Sequence, residues 1–170
     1  MRKVLLIYPT IHEKAVAYLK DNCEVFVAPD SSYETLVSFF EKGVEGLVTR
    51  TEIITKQILD QAKDLKVIAQ NGVGIDNIDV AHATERKIAV LNVPNGNSLS
   101  VAEHVVTCIL ALSKNLFKSD LAVRKGDYSF KLSEPPSEVF GKVVFLVGFG
   151  NNARITSEML IKAFSMSILA

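Results

Sequence analysis

The chain contains no tryptophan, two cysteines, three histidines and five prolines in 170 residues. Cys23 and Cys108 lack metal-ligand spacing, so no metal site is expected; each lies in an apolar context that suits a reduced core thiol. An excess of charge of either sign is also missing, with nineteen basic residues against nineteen acidic ones. A neutral chain lacks the positive footprint that binding nucleic acid or a membrane surface requires. No apolar run reaches the length of a bilayer span. Met1-Arg2-Lys3 and the short apolar stretch Val4–Tyr8 stop too soon for a signal peptide, because a turn at Pro9 follows. That stretch reads as a buried first strand, and the expected location is the cytoplasm. Internal repeats and low-complexity segments are absent.

What is present is a globular composition, 48% hydrophobic and 22% charged, long enough for one domain or for one domain and part of another. Strands are expected at Lys3–Tyr8, Glu24–Ala28, Gly46–Thr49, Val67–Ala69 and Ala89–Asn92. Helices are expected near Ile11–Asp21, Tyr33–Lys42, Thr55–Ala62 and Val80–Arg86. Short apolar strands alternating with amphipathic helices imply a parallel sheet covered on both faces. Residues 1–97 therefore read as a flavodoxin-like, doubly wound α/β domain, whose ligands would bind beyond the carboxyl ends of the strands.

The loop Asn92-Val93-Pro94-Asn95-Gly96-Asn97 interrupts the alternation and reads as a hinge. A long helix is expected from Ser98 or Ser100 to Val123, with Ser100 and Glu103 as a capping box. Its apolar residues cover much of its circumference, which suits a helix buried between layers or between subunits. Lys125–Val139 is polar and reads as a surface excursion. A second α/β unit opens at Gly141. The strand Lys142–Val147 leads into Gly148-Phe149-Gly150-Asn151-Asn152-Ala153, and a helical pattern runs from Arg154 to Phe164. Strand, glycine turn and helix is the context of a dinucleotide fingerprint. Gly148 permits the tight turn, and Gly150 lets backbone approach a pyrophosphate. Asn151 and Asn152 open a helix whose dipole favours anions. The alternative for such a triplet is an ordinary strand-to-helix turn. An acidic ribose ligand would stand ~20 residues on, at or beyond Ala170. Residues 98–170 thus read as a long helix followed by the start of a Rossmann domain.

Two further features lie at the carboxyl edge of the first sheet. Asn71-Gly72-Val73-Gly74 could turn several amides toward one point as a nest for a carboxylate; the alternative is a plain loop with Asp76 or Asp79 capping the next helix. Arg50 ends the third strand and suits bidentate carboxylate binding; the alternative is a solvated arginine. His12 and His82 read as solvated helix residues. Glu103 and His104 are adjacent on a helix and do not face each other, so they read as helix-start and packing residues. No catalytic residue is assigned.

Three segments in order, Asn71–Asp79, Asn92–His104 and Gly141–Ala153, resemble the NAD-dependent D-2-hydroxyacid dehydrogenases, of which phosphoglycerate dehydrogenase is the nearest type. The resemblance runs over essentially the whole chain. It implies a substrate domain followed by a Rossmann domain, catalysis in the cleft between them, and a homodimer formed through the 98–124 region. It implies hydride transfer between NAD, or NADP, and a small 2-hydroxy or 2-oxo acid. By position, Arg50 matches the family's substrate arginine, and Asn71, Gly72, Val73 and Gly74 its carboxylate-binding loop, Val73 also touching the nicotinamide side. Gly148, Gly150, Asn151 and Asn152 match the cofactor turn.

The chain departs from the family in three ways. Gln70 stands where related phosphoglycerate enzymes often have Arg. Asn152-Ala153 replaces the usual Ile-Gly. The family's catalytic histidine, its acidic partner and a second arginine belong to the later half of the Rossmann domain, past Ala170, so this chain is expected not to complete the reaction alone. Two other readings compete. One is a small-carboxylate binding or regulatory module built on the first domain; the other is a non-catalytic truncated remnant whose long helix only mediates association.

Overall fold

Val4-Leu5-Leu6-Ile7 is apolar at every position, the pattern of a strand covered on both faces of a parallel sheet. The computed structural model describes residues 1–7 and 11–170 and divides into two units, Met1–Gly96 and Asn97–Ala170. In the first unit β1 (Lys3–Ile7), β2 (Glu24–Ala28), β3 (Gly46–Thr49), β4 (Val67–Gln70) and β5 (Ala89–Leu91) form one sheet in the order β2-β1-β3-β4-β5. Every pairing is parallel. This is the flavodoxin-like order expected from the alternation. The crossovers are α1 (Glu13–Asn22), α2 (Tyr33–Phe40), α3 (Lys56–Gln61) and α4 (Val80–Glu85).

The core follows from strand periodicity. Leu5, Leu47, Ile68 and Val90 stand in one register row and so point to one face. They pack with Leu36 and Phe40 of α2, Ile58 and Leu59 of α3 and Ala83 of α4. Each large aliphatic side chain buried there contributes about 1.5–3 kcal/mol. The row on the other face, Val4, Gly46 and Val67, lacks a side chain at its centre. It borders a cavity of about 410 Å3 lined also by Arg2, Cys23, Glu45 and Lys66.

Capping sets the helix starts of this unit. His12 Nδ1 accepts from the Lys14 amide at 3.2 Å, which moves the start of α1 to Glu13 rather than Ile11. Ser32 caps α2 at 3.4 Å, Thr55 caps α3 at 3.3 Å, and Asp79 caps α4 at 3.0 Å. Such caps contribute about 1 kcal/mol each. Tyr8, the expected last residue of the first strand, and the Pro9 turn lie outside the described residues.

The second unit contains α5 (Ser98–Ser113), α6 (Leu116–Arg124), α7 (Phe130–Ser133), β6 (Val143–Phe145), α8 (Asn151–Phe164) and β7 (Ser167–Leu169). β6 and β7 pair in parallel across α8. Val144 and Ile168 turn inward onto Leu160, Met166 and Val139, with Val106, Ile109 and Leu110 of α5. Val143, Phe145 and Leu169 alternate outward and are exposed.

Several expectations change here. The single helix to Val123 is two helices bent by 56°, because Asn115 adopts a left-handed φ of 49° that an α-helix cannot continue through. The Ser100–Glu103 capping box is not formed: α5 starts at Ser98 with Asn97 at the cap position and no side-chain cap bond. The polar segment 125–139 holds the short α7, and Val139 at its end is buried. Cys108 is exposed and Cys23 only half-buried, so neither is a core thiol. Among the described residues no single helix is long and apolar enough to cross a membrane; the bent pair α5–α6 reaches that length only together.

Candidate functional site

Thr49 is fully buried at the end of β3, and the next residue, Arg50, is exposed. The chain must turn there, and Glu52 organises the turn. Its Oε2 accepts from Thr49 Oγ1 at 2.7 Å, from the Arg50 amide at 2.7 Å and from the Thr51 amide at 3.1 Å. Burial pushes this carboxyl up, but the hydroxyl of Thr49 and the amides of Arg50, Glu52 and Thr51 together outweigh it and hold the group below the usual glutamate range. Hydrogen bonds to the charged form have that effect. The Arg50 guanidinium takes part in none of the ion pairs among the described residues.

The loop after β4 is tied to this turn on one side and to β5 on the other. The Asn71 amide donates to Thr49 O at 2.8 Å. Gln70, 5% exposed, donates from Nε2 to Arg50 O at 2.5 Å and to Asn77 Oδ1 at 3.4 Å. Asn77 Nδ2 donates to Glu52 O at 2.8 Å, and an isolated parallel bridge joins Ile54 to Ile78. Beyond β5, Asn92 Nδ2 donates to Val73 O at 2.7 Å and the Val93 amide to Gly72 O at 2.9 Å. Arg50 and the 71–74 loop are therefore held at one sheet edge by a shared network.

The glycines of this loop act differently from the expected nest. Neither Gly72 nor Gly74 has a positive φ, so no left-handed alternation turns successive amides inward. A Cβ on Gly72 would stand 3.4 Å from Gln70 Nε2 and one on Gly74 would stand 3.4 Å from Asp76 Oδ2, ordinary contact distances, so the loop owes little of its shape to these glycines. Asp79 is the helix cap, as the plainer alternative had it, and the tethered loop coexists with that role.

In the second unit Gly148 has φ +94°, a conformation that glycine alone adopts without strain. Gly150 has φ −80° and stands at the N-cap of α8 with no side-chain cap bond; a Cβ there would project into open space. The first-turn amides of α8 thus face outward beside a bare backbone, the arrangement that receives an anion. Arg154 adds a cation at this turn, its Nε donating to Phe149 O at 3.3 Å. Asn151 and Asn152 are exposed.

The histidines make local contacts within their own helices or between α3 and α4. His82 is not solvated: Nε2 lies 2.7 Å from Asp60 and Nδ1 3.3 Å from Glu85, because α3 and α4 pack side by side with the ring between them. His104 and Glu103 are exposed rather than packed, and His104 Nε2 lies 3.5 Å from Cys108 Sγ. Sequence reasoning missed Glu52, Asn77 and Asn92. A carboxylate two residues after a strand-end arginine was the available signal for Glu52. Only the fold reveals that the two asparagines reach across to neighbouring loops.

A parallel sheet in the 2-1-3-4-5 order with tethered loops at its carboxyl edge, followed by a strand–glycine–helix unit, defines a doubly wound α/β protein. The chain belongs to the D-isomer specific 2-hydroxyacid dehydrogenases, whose catalytic-domain sequence model matches residues 4–168. It is 36% identical over 172 residues to a D-3-phosphoglycerate dehydrogenase of Methanocaldococcus jannaschii, covering 99% of this chain and 32% of that protein. It is 36% identical over 128 residues to a hydroxypyruvate reductase of Thermotoga maritima, covering 75% of this chain and 41% of that protein. Among solved structures, the TT0316 protein of Thermus thermophilus superposes with a TM-score of 0.83 at 26% identity, over 98% of this chain and 54% of that one. The chain thus spans about a third of the first of these curated relatives and about half of the solved structure.

Proposed function

We propose that the chain is the substrate-holding and cofactor-opening part of an oxidoreductase that moves a hydride between a nicotinamide dinucleotide and a small 2-hydroxy or 2-oxo acid. The observation that carries this reading is the network Glu52–Asn77–Gln70, which holds Arg50 and the Asn71-Gly72-Val73-Gly74 loop at one sheet edge. A planar carboxylate matches the guanidinium fork of Arg50 bidentately, and the loop offers backbone unobstructed at Gly72 and Gly74. Val73, 41% exposed, gives this loop an apolar surface beside the carboxylate position.

The dinucleotide fits the turn of the second unit. Gly148 makes the bend, Gly150 leaves the backbone open, and Asn151 and Asn152 start α8, whose first-turn amides would hold the pyrophosphate. When bound, the nicotinamide of NAD, or of NADP, would supply or accept the hydride. No residue of this chain is assigned as the acid–base group, since His12 caps α1, His82 is held by two carboxylates and His104 stands beside Cys108. We expect these 170 residues alone to bind without turnover. Association of two copies through residues 98–124 belongs to the same reading and is supported by the exposed Leu112, Leu116 and Phe117.

Calorimetric titration with NADH and with hydroxypyruvate tests the proposal. Binding of both supports it. Heat from the acid with none from NADH favours the second reading, a carboxylate-binding module, which the compactness of Met1–Gly96 with both loops inside it supports. Oxidation of NADH by this chain in the presence of any 2-oxo acid overturns the expectation that it is inactive alone.

A further inference from the structure

α5 has two distinct faces. Ala102 and Ala111 are buried, and Val106, Ile109 and Leu110 pack toward Leu160 and Met166. On the other side Ser100, His104, Cys108 and Leu112 are exposed. They follow one another at four-residue intervals, which aligns them in one stripe along the helix. Within that stripe His104 Nε2 stands 3.5 Å from Cys108 Sγ. A tetrahedral zinc ion takes sulfur at about 2.3 Å and imidazole nitrogen at about 2.0–2.1 Å, which sets those two ligand atoms about 3.5 Å apart. The pair thus stands at the separation that two ligands of one ion require. The distance in sequence between Cys23 and Cys108 argues against a site shared by the two cysteines, but not against one on the His-x3-Cys spacing of this stripe.

One copy supplies only half of a site, since among the described residues no group of three or more His, Cys, Asp or Glu could hold a metal. Resting on the reading that two copies associate through residues 98–124, we infer that His104 and Cys108 of each copy together bind one zinc ion between them. A two-fold axis beside the 104–108 turn presents the same pair twice. Two thiolates and two imidazoles in a tetrahedron are a zinc set. Each Cys108 thiol gives its proton to solvent as its sulfur joins the metal, so two negative sulfurs meet the two positive charges of the ion. Leu112, exposed one turn further along the same stripe, is the apolar contact beside the metal. Association through this stripe is therefore metal-dependent.

The test uses the purified chain at a fixed concentration, stripped of metal and kept with a non-thiol reductant. It is titrated with Zn2+ alone and with Co2+ as a spectroscopic substitute. The expected result is a near-ultraviolet thiolate-to-cobalt band that saturates at one Co2+ per two chains, while sedimentation shows the mass double as either metal is added. Cys108→Ser should remove the band and the doubling, His104→Ala should weaken both, and Cys23→Ser should change neither. In the unaltered chain Zn2+ should protect Cys108 from alkylation, read by peptide mass spectrometry, so the outcome does not depend on a variant. Two copies associated equally with and without metal, and no cobalt band, overturn the zinc site and leave the 98–124 association standing. Single copies under every condition, with no band, overturn both. A band that persists in Cys108→Ser, or one that saturates at one Co2+ per chain with no change of mass, overturns the shared site.

Discussion

The side-chain amide of Asn77 donates to the backbone carbonyl of Glu52 at 2.8 Å, and that bond ties the loop after β4 to the loop after β3. Removing it leaves a part-buried carbonyl unmatched. Asn77→Ala should lower the stability of the first unit by about 1–3 kcal/mol, read as a lower urea midpoint. It should also weaken hydroxypyruvate binding, because Arg50 and the 71–74 loop lose their common support. A variant with unchanged affinity would show that the two loops hold their positions independently.

Glu52 sets a pH limit on the same region. Its folded carboxyl titrates below the usual glutamate value of 4.5, so ionisation favours the folded state. That contribution is complete above the unfolded value and is lost as the pH falls through the lower, folded one. Stability should therefore decline more steeply below about pH 4.5 in the wild type than in Glu52→Gln, which starts from a lower plateau at neutral pH. Parallel acid-unfolding curves would remove Glu52 from this role.

Arg50 is exposed and enters no ion pair among the described residues. Arg50→Ala should leave the unfolding midpoint within about 0.5 kcal/mol of wild type. It should cost carboxylate affinity about tenfold or more, since a charged hydrogen-bonding pair is worth about 1.5–3 kcal/mol. A fall in stability of similar size would mean that the arginine serves the fold rather than a ligand.

The two glycines of the dinucleotide turn should respond differently. Gly148→Ala forces a Cβ onto a residue at φ +94° and should cost about 1–3 kcal/mol, seen as faster hydrogen exchange along α8. Gly150→Ala meets neither strain nor a neighbouring atom, so exchange should be unchanged while NADH binding weakens. Equal effects of both variants on exchange would contradict this division.

Val147 is 95% exposed, and Val143, Phe145 and Leu169 present apolar surface beside it. Such a patch draws a partner or a second copy. The apparent mass in light scattering should rise with concentration, and Val147→Lys with Phe145→Lys should suppress the rise. A wild-type mass that stays constant with concentration would show that the patch is tolerated in solution.

Much of the first unit is legible in the residues themselves. Apolar runs such as Val4–Ile7 mark parallel strands, and Ser32, Thr55 and Asp79 announce helix starts through side chains that can accept an amide. The bend at Asn115 is not legible, because asparagine is compatible with a helix interior and only packing selects its left-handed conformation. His82 is misread for a similar reason: its partner Asp60 is remote in sequence and adjacent only once α3 and α4 pack. Arg50 and the glycine loop are visible as a motif and Glu52 follows a strand-end arginine, whereas Gln70, Asn77 and Asn92 hold the loops through bonds to segments remote in sequence that only the fold brings near.

The β2-β1-β3-β4-β5 order also governs how this sheet is made on the ribosome. β2 emerges one helix after β1 and can pair with it at once, Lys3 against Glu24. β3 bypasses β2 and takes the free side of β1, Val4 against Gly46, so one edge of the first strand must stay open while both α1 and α2 are synthesised. Loop closure over that longer span is the slow step for a parallel sheet. β4 and β5 then add outward, each to the strand just before it. The last tether of the proposed substrate loop, Asn92 to Val73, cannot form until β5 has been made, so the binding edge is completed after the core that carries it.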